Sequence, residues 1–296
     1  MNHDVMCGAG RVDITIPAGT PMGGYANRAS TCQGVLDPLS VRALLLRTDH
    51  AALLILALDA LAISAQRARQ LAEDAAQASE GAVQAECVRV ACSHTHSGAD
   101  LSGMFGDAAL IGRYFEQVRN SARAATRQAL DSLTPALIRQ GAADFPIGKN
   151  RRLRPGHAHV SALERSQGEQ IDHTLTALRF ERPHTGRIIA TLFHTACHPV
   201  CLGPENVRAS GDFAGIAAQT LEQQTGAPAL FLNGASGNIT PIIGRGSSYA
   251  ATCALGQSVA QAVTNINFQD LGDLGGLDEL DVSLPSSASL PLGCHY

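Results

Sequence analysis

Two histidines separated by one residue are the first feature of this sequence that could do chemistry. His94 and His96 lie in the segment 93–98 (SHTHSG), directly after an apolar run, Val88–Cys92, that predicts a buried strand. Side chains at i and i+2 of an extended segment point to the same face, so both imidazoles can reach one metal ion or one substrate. Such a pair also arises by chance in a chain with 11 histidines, so its place after a buried strand carries the prediction.

A third histidine, His198, also follows a predicted strand, in the segment 196–199 (ACHP). His194 lies four residues earlier, which is the spacing of a metal-binding pair on a helix, but Pro199 argues against a long helix here. His198 is therefore a candidate metal ligand by itself. A core histidine satisfied by backbone groups is the alternative for this position.

A glycine-rich turn over 233–241 is the third candidate, because glycines let a backbone approach a ligand closely. An ordinary tight turn is the alternative. Ser236 invites comparison with the nucleophile elbow of serine hydrolases, but that motif needs Gly-x-Ser-x-Gly and Asn238 stands at its last position. The sequence therefore disfavours a serine nucleophile.

The elements that must position these residues alternate between strands and helices. Strands are predicted over 11–16, 41–48, 53–57, 88–92, 174–180, 187–193 and 228–232, and helices over 64–79, 107–133, 213–225 and 250–263. This order predicts an α/β fold, with a layered mixed sheet flanked by helices and the site at the strand ends. The segment 148–170 is polar and predicts a loop, and no internal repeat is visible in the sequence.

Composition excludes several classes of function. The chain has 296 residues and a net charge of −4, which gives no electrostatic footprint for nucleic acid. The most apolar stretch, 51–63, is too short to span a bilayer and contains Asp59. No secretory signal is visible at the start, which predicts a cytoplasmic location. With only 16% charged residues, the surface favours self-association into a homo-oligomer.

The cysteines favour neither a disulfide scaffold nor a structural zinc site. Eight cysteines in a chain of this length predict free thiols in a reducing compartment. Cys197 and Cys201 have a close spacing, but a thiolate zinc site needs a second such pair, and Cys87 and Cys92 do not supply it.

A set of short motifs resembles the neutral/alkaline ceramidase family, in particular the short bacterial proteins that share its N-terminal catalytic domain. The motifs occur in the family's order: 8–17 (GAGRVDITIP), 22–25 (MGGY), 34–39 (GVLDPL), Asp59, 93–98 (SHTHSG), Asn150 and Arg151, 196–203 (ACHPVCLG), 210–215 (SGDFAG) and 234–241 (GASGNITP). SHTHSG is the most specific of them. Leu36 replaces the family's usual histidine in the third motif.

The resemblance implies a zinc-dependent hydrolase of an amide (C–N) bond, in which metal-activated water attacks the carbonyl of a small or lipid-like amide. It assigns the metal to His94 and His198, and it places His96 and Arg151 as catalytic residues beside the developing oxyanion. The loops that carry four further residues would face the substrate: Gly24, Tyr25, Asn238 and Thr240.

One departure from the family leaves an alternative open. The family completes its zinc site with a Glu and a Tyr from beyond the GNITP segment, and no matching motif follows here. Asp59 or Asp212 is the expected substitute, either as a metal ligand or behind the ligands. Otherwise we expect a truncated, non-catalytic relative that binds a ligand or partner. Residues 1–267 are predicted to form the catalytic domain, and 268–296 a poorly ordered acidic and Ser/Pro-rich tail.

Overall fold

The computed structural model describes residues 5–28, 30–151 and 171–271, and its two largest sheets have five strands each. The first sheet contains β1 (Met6–Asp13), β3 (Ser40–Arg47), β4 (Ala52–Leu58), β5 (Val88–Cys92) and β6 (Thr134–Pro135). The second contains β7 (Leu137–Asp144), β9 (Thr174–Glu181), β10 (Ile188–Thr195), β12 (Ala229–Asn233) and β14 (Gln269–Asp270). Two small ribbons pair β2 (Gly34–Val35) with β11 (Arg208–Ala209), and β8 (Gly148–Asn150) with β13 (Ile239–Pro241).

Four helices flank these sheets in the described part of the chain. They are α1 (Ala65–Ala78), α2 (Ala108–Asp131), α3 (Asp212–Thr225) and α4 (Tyr249–Thr264), and a short 3₁₀ turn spans Ala85–Cys87. Helix α1 begins where the Ser64 hydroxyl accepts from the Arg67 backbone N–H, and α2 begins where the Asp107 carboxylate caps two N–H groups. Both caps lie at the starts that the sequence predicts.

Each large sheet is mixed and has one parallel strand at its edge. The strand orders are β5-β4-β3-β1-β6 and β12-β10-β9-β7-β14. Strand β5 is parallel to β4, and β12 is parallel to β10, whereas the other neighbours are antiparallel. A parallel pair requires a crossover connection, which α1 and α3 supply.

The layers stack as helices, sheet, sheet, helices. Helices α1 and α2 pack on the first sheet, and α3 and α4 pack on the second. A separate apolar layer that includes Leu44, Ala57, Phe180 and Leu230 fills the space between the two sheets. The prediction of a layered α/β fold with mixed β-structure and flanking helices is confirmed, although the layer consists of two sheets.

The two sheets repeat one topology that the sequence does not reveal. In each, two antiparallel strands lead into a third, a helix crosses over to a parallel edge strand, and a second helix follows. The corresponding elements are β1 and β7, β3 and β9, β4 and β10, α1 and α3, β5 and β12, and α2 and α4. We call the two units the N-terminal and C-terminal halves.

Strand β7 is the main element that the sequence analysis missed. Its residues alternate between half-buried and exposed, but half of the inward positions are alanine or glycine, so the apolar pattern is weak. Within the predicted tail, Gln269 and Asp270 pair with β7. Residues 272–296, and most of the predicted loop 148–170, lie outside the described residues. No helix in the described part is long and apolar enough to cross a membrane.

Candidate metal centre

Three histidine side chains converge where the two sheets meet. His94 lies two residues beyond β5 in the N-terminal half, and His198 lies three residues beyond β10 in the C-terminal half. Together with His96 they form a group whose ligand atoms all lie within 4.8 Å of one another. The backbone N–H of His96 donates to the Pro199 carbonyl at 3.1 Å, so the two histidine segments are directly joined.

The rings of His94 and His198 are held by backbone carbonyls on their far sides. Nδ1 of His94 lies 2.8 Å from the Leu61 carbonyl oxygen, and Nδ1 of His198 lies 2.9 Å from the Ser236 carbonyl oxygen. A carbonyl only accepts, so each Nδ1 must carry the proton and donate it. In the neutral ring, Nε2 is then an unprotonated lone pair.

These two Nε2 atoms face each other at 3.1 Å. Burial lowers the pKa of His94 and lowers that of His198 to about 4, so both rings are neutral at pH 7. Two lone pairs at this distance cannot hydrogen-bond to each other. Two imidazole nitrogens on one zinc ion, each about 2.0–2.1 Å from it, are roughly 3.3 Å apart at a tetrahedral angle. The donor pair therefore fits a metal ion, and the Nδ1 contacts are those of metal-bound histidines.

His96 has a different environment in the same group. Its two ring nitrogens are buried, and neither meets hydrogen-bond geometry, although the Gly24 backbone lies against the ring. The Tyr25 ring contacts it edge-on, with centroids 4.9 Å apart. Burial lowers the pKa of His96 to about 3, and the neighbouring His94, His198 and Arg28 add to this effect. His96 is thus a neutral imidazole that lies against the Gly24 backbone.

Two unusual backbone conformations accompany the group. His94 has a φ of 69°, in the left-handed region that few non-glycine residues adopt, and such strain concentrates at functional sites. Gly24 has a φ of +98°, and a Cβ there would collide with the His96 ring. The glycine is required for this close approach.

Arg151 is held beside the group by the small ribbon of β8 and β13. Its backbone N–H donates to the Asn238 carbonyl at 2.7 Å, and its Nε donates to the Gly237 carbonyl at 3.0 Å. Thr240 lies in β13 opposite Lys149 of β8, and this pairing brings Arg151 alongside the turn. The positive charge of Arg151 also contributes to the lowered pKa of His94 and His198, after burial.

The two aspartates proposed from the sequence have other partners. Asp59 pairs with the buried Arg42 at 2.8 Å and accepts from the Ser40 backbone N–H. Asp212 is fully buried, and its carboxylate accepts from three backbone N–H groups, those of Cys201, Leu202 and Phe213. Among the described residues, neither aspartate belongs to the histidine group.

The alternative chemistries find little support in the geometry. Ser236 contributes its backbone carbonyl to His198. Cys197 and Cys201 are buried, and burial raises the pKa of both thiols, so they remain protonated and are poor metal ligands. In the described part of the chain, no cysteine joins the histidine group.

Two residues to which the sequence assigned no role hold the site together. Asn233, at the end of β12, donates from its side chain to the Ser93 carbonyl at 3.1 Å and so links the halves. Arg28 donates to the Gly23 and His96 carbonyls, both at 2.8 Å. Asn233 begins the candidate turn 233–241, and Arg28 follows the motif that ends at Tyr25, but the sequence does not show which distant carbonyl each side chain contacts.

Comparison with known proteins gives one consistent answer. A sequence profile described as neutral/alkaline non-lysosomal ceramidase, N-terminal, matches residues 5–273. The chain is similar to the crystal structure of neutral ceramidase from Pseudomonas aeruginosa, with a TM-score of 0.73 and 21% identity over 90% of this chain and 45% of that one. It is also similar to a ceramidase complexed with C2, with a TM-score of 0.69 and 20% identity over 89% and 44% of the two chains.

At this level of identity, the likeness to these two structures shows a shared fold. The chain spans a little less than half the length of each of them. No curated protein matches the chain.

Proposed function

The chain belongs to the neutral/alkaline non-lysosomal ceramidase family, whose N-terminal domain it matches, and on that premise we propose that it is a zinc-dependent hydrolase of an amide bond in a lipid-like substrate. The observation that carries the proposal is the 3.1 Å separation of two unprotonated Nε2 atoms, on His94 and His198. Two neutral imidazoles whose lone pairs face each other are a donor pair suited to zinc.

We assign the metal to His94 and His198 because a carbonyl fixes the tautomer of each. When bound, a zinc ion would polarise the amide carbonyl and lower the pKa of a water molecule. His96 is free to present an N–H to the oxygen on which negative charge develops, since neither of its nitrogens meets hydrogen-bond geometry elsewhere. Arg151 adds a fixed positive charge on the same side.

The remaining predicted residues support the substrate side of the site. Gly24 and Tyr25 pack against His96, and the Asn238 carbonyl orients Arg151. Thr240 holds the ribbon in register. We propose residues 1–267 as the catalytic unit. The lipid-like substrate follows from the family, whose solved members are named as ceramidases.

The test is metal-dependent amide hydrolysis by the full chain. Protein stripped with a chelator and reloaded with zinc should bind about one zinc per chain and hydrolyse an N-acyl amide, such as a short-chain ceramide. His94→Gln and His198→Gln should lose both zinc and activity, while His50→Gln, an exposed histidine in the turn before β4, should keep both. Activity that survives chelation, or zinc binding that survives both site variants, would contradict the proposal.

The second candidate is a non-catalytic relative, which binds a metal or a ligand but hydrolyses no amide bond. The observation that favours it is that Asp59 and Asp212 hold other partners, so the described carboxylates leave the histidine group without an oxygen ligand. Stoichiometric zinc with no hydrolysis of ceramide, N-acylethanolamine or N-acyl amino acid would support this candidate. Any zinc-dependent turnover would exclude it.

A further inference from the structure

Arginines that make no ion pair within the described residues surround the histidine group. The ion pairs of the described residues involve other arginines, on β1, β3, α2, β7 and β9. Arg151 is one of the unpaired arginines, and it is already placed beside the developing oxyanion. The other two, Arg28 and Arg245, have no part in the proposed chemistry.

Arg28 is a half-buried cation whose contacts with the described residues are with uncharged groups. It donates to the Gly23 and His96 carbonyls, while its Nε is buried without a hydrogen-bond partner. Burial lowers its pKa, which shows that its surroundings disfavour the charge. A desolvated guanidinium without a carboxylate is costly, and an anion that enters the site would compensate it.

The guanidinium groups of Arg245 and Arg28 both pack against the Tyr25 ring. Its guanidinium carbon is 5.9 Å from the Tyr25 ring centroid, and that of Arg28 is 4.9 Å from it. The Tyr25 ring is 4.9 Å from the His96 ring. Arg245 is exposed, so a ligand can reach it from solvent. Both guanidinium groups therefore pack on the Tyr25 ring, which in turn contacts the His96 ring of the histidine group.

Two buried carboxylates close to the site do not neutralise this charge. Asp100 is fully buried and accepts from the backbone N–H groups of Ser102, Met104 and Phe105. Asp212 accepts from three backbone N–H groups, as described above. Both carboxylates are engaged by their own loops and face no arginine in the described part of the chain.

From this arrangement we infer that Arg28 and Arg245 form an anion subsite against Tyr25, and that the preferred ligand is an N-acyl amino acid whose carboxylate lies beside the amide. The inference rests on the proposed function, because it takes the histidine group as the place of the amide. A neutral amide such as ceramide would leave both guanidinium groups without a counter-charge. The carboxylate would accept charge-assisted hydrogen bonds from them.

The test compares two ligands that differ only in this charge. Binding of N-dodecanoylglycine and of N-dodecanoylglycinamide is measured by titration calorimetry on zinc-free protein, since the metal would itself attract a carboxylate. Wild-type protein should bind the carboxylate about tenfold more tightly, the effect of one or two charged hydrogen bonds. The preference should shrink as salt is raised from about 0.05 to 0.5 M.

Substitutions test which residues cause the preference for the carboxylate ligand. Arg245→Gln removes an exposed charge that packs on the Tyr25 ring, so the variant should fold, and it should reduce the preference severalfold. Arg28→Gln should reduce the preference further. Arg28→Lys keeps the positive charge but loses the planar guanidinium donors, so it separates the effect of the charge from that of the hydrogen bonds. Arg69→Gln, an exposed arginine on α1, is the matched control and should keep the full preference.

Equal affinity for the two ligands, failure of both to bind, or a preference that survives Arg245→Gln and Arg28→Gln together would overturn the inference. These outcomes are separate from those of the proposed function, because they are read on metal-free protein by binding. Zinc-dependent hydrolysis of a neutral amide with no anion preference would leave the proposed function intact and remove the subsite.

Discussion

The N-terminal and C-terminal halves have the same topology but use corresponding strand ends for different purposes. In the N-terminal half, Asp59 directly follows β4, the strand before the crossover helix, and the parallel edge strand β5 ends two residues before His94. In the C-terminal half, the corresponding positions are occupied by His198 and by the turn that begins at Asn233. Each half thus brings one metal-ligand candidate, from non-corresponding strands.

This difference shows how one topology can supply both a stabilising ion pair and a candidate metal site. Asp59 forms a buried ion pair with Arg42, which also pairs with Glu222 of α3 at 2.7 Å. That network ties the first sheet to a helix of the other half. His198, at the matching strand end, has a backbone carbonyl behind it and a lone pair in front. The site lies between the halves, so neither half contains it alone.

The largest effect should come from removing the ligand that either half contributes. His94→Ala and His198→Ala should each reduce zinc-dependent amide hydrolysis by on the order of 10³, and the double variant should be no worse, because residues that act as one unit are not additive. Single-turnover assays at saturating zinc measure this. If one half were sufficient, one of the two variants would retain near wild-type activity.

The ion-pair network that joins the halves should dominate stability. Arg42 is 2% exposed, and Arg42→Met leaves Asp59 buried without its ion-pair partner and leaves Glu222 with Arg11 alone, which should lower the free energy of unfolding by about 3–5 kcal/mol. Urea denaturation followed by circular dichroism measures it. Arg127→Met removes an exposed pair with Glu80 on the surface and should change stability by about 0.5 kcal/mol or less. Equal effects of the two variants would mean that the network does not join the halves.

Acid should weaken the metal-free protein through the histidines between the halves. The pKa of His198 is about 4 and that of His96 about 3 in the folded protein, whereas an unfolded histidine titrates near 6.5. The unfolded chain therefore binds more protons below about pH 6.5, and the free energy of unfolding falls as pH falls from there toward 4. For His198 the loss is about 1.4 kcal/mol per pH unit.

Denaturation midpoints across this pH range test the titration. The double variant His96→Gln with His198→Gln should show a flatter dependence than wild type, while His50→Gln, with an exposed ring, should follow wild type. A dependence unchanged in the double variant would assign the acid sensitivity to groups other than these histidines.

The smallest effect should come from the hydrogen bond that links the strand ends of the two halves. Asn233→Ala removes the contact to the Ser93 carbonyl, next to His94, and should cost about 1 kcal/mol of stability and weaken zinc binding severalfold. Competition with a chromophoric chelator measures the zinc affinity. Asn120→Ala, on the exposed side of α2, is the control. Unchanged zinc affinity in Asn233→Ala would show that the link does not support the site.

The parts of the fold that local sequence patterns encode could be predicted. The hairpin of β3 and β4 lies within a residue or two of its predicted bounds, and α1 begins at Ala65, one residue after the predicted start of that helix. Motif order predicted that His94 and His198 belong to one site, and their side chains do converge. These features depend on contacts near in sequence or on a recognisable motif.

The parts that depend on distant pairing could not be predicted. Strand β7 has too few large apolar residues to show a period, and it becomes a strand because β9 pairs with it. The carbonyls of Leu61 and Ser236 orient the two ligand rings, yet any residue has a carbonyl, so nothing in the sequence marks them. The contact of Arg28 could not be predicted either, since only the fold brings this residue to the His96 carbonyl.

The central claim is that one metal ion binds between the halves on two fixed imidazole nitrogens. X-ray absorption at the zinc edge of the reloaded protein tests it most directly. The account predicts one zinc per chain, with imidazole nitrogen scattering from at least two histidines at about 2.0–2.1 Å, lost in both His94→Gln and His198→Gln. A sulfur shell at about 2.3 Å, or a spectrum unchanged in either variant, would contradict it.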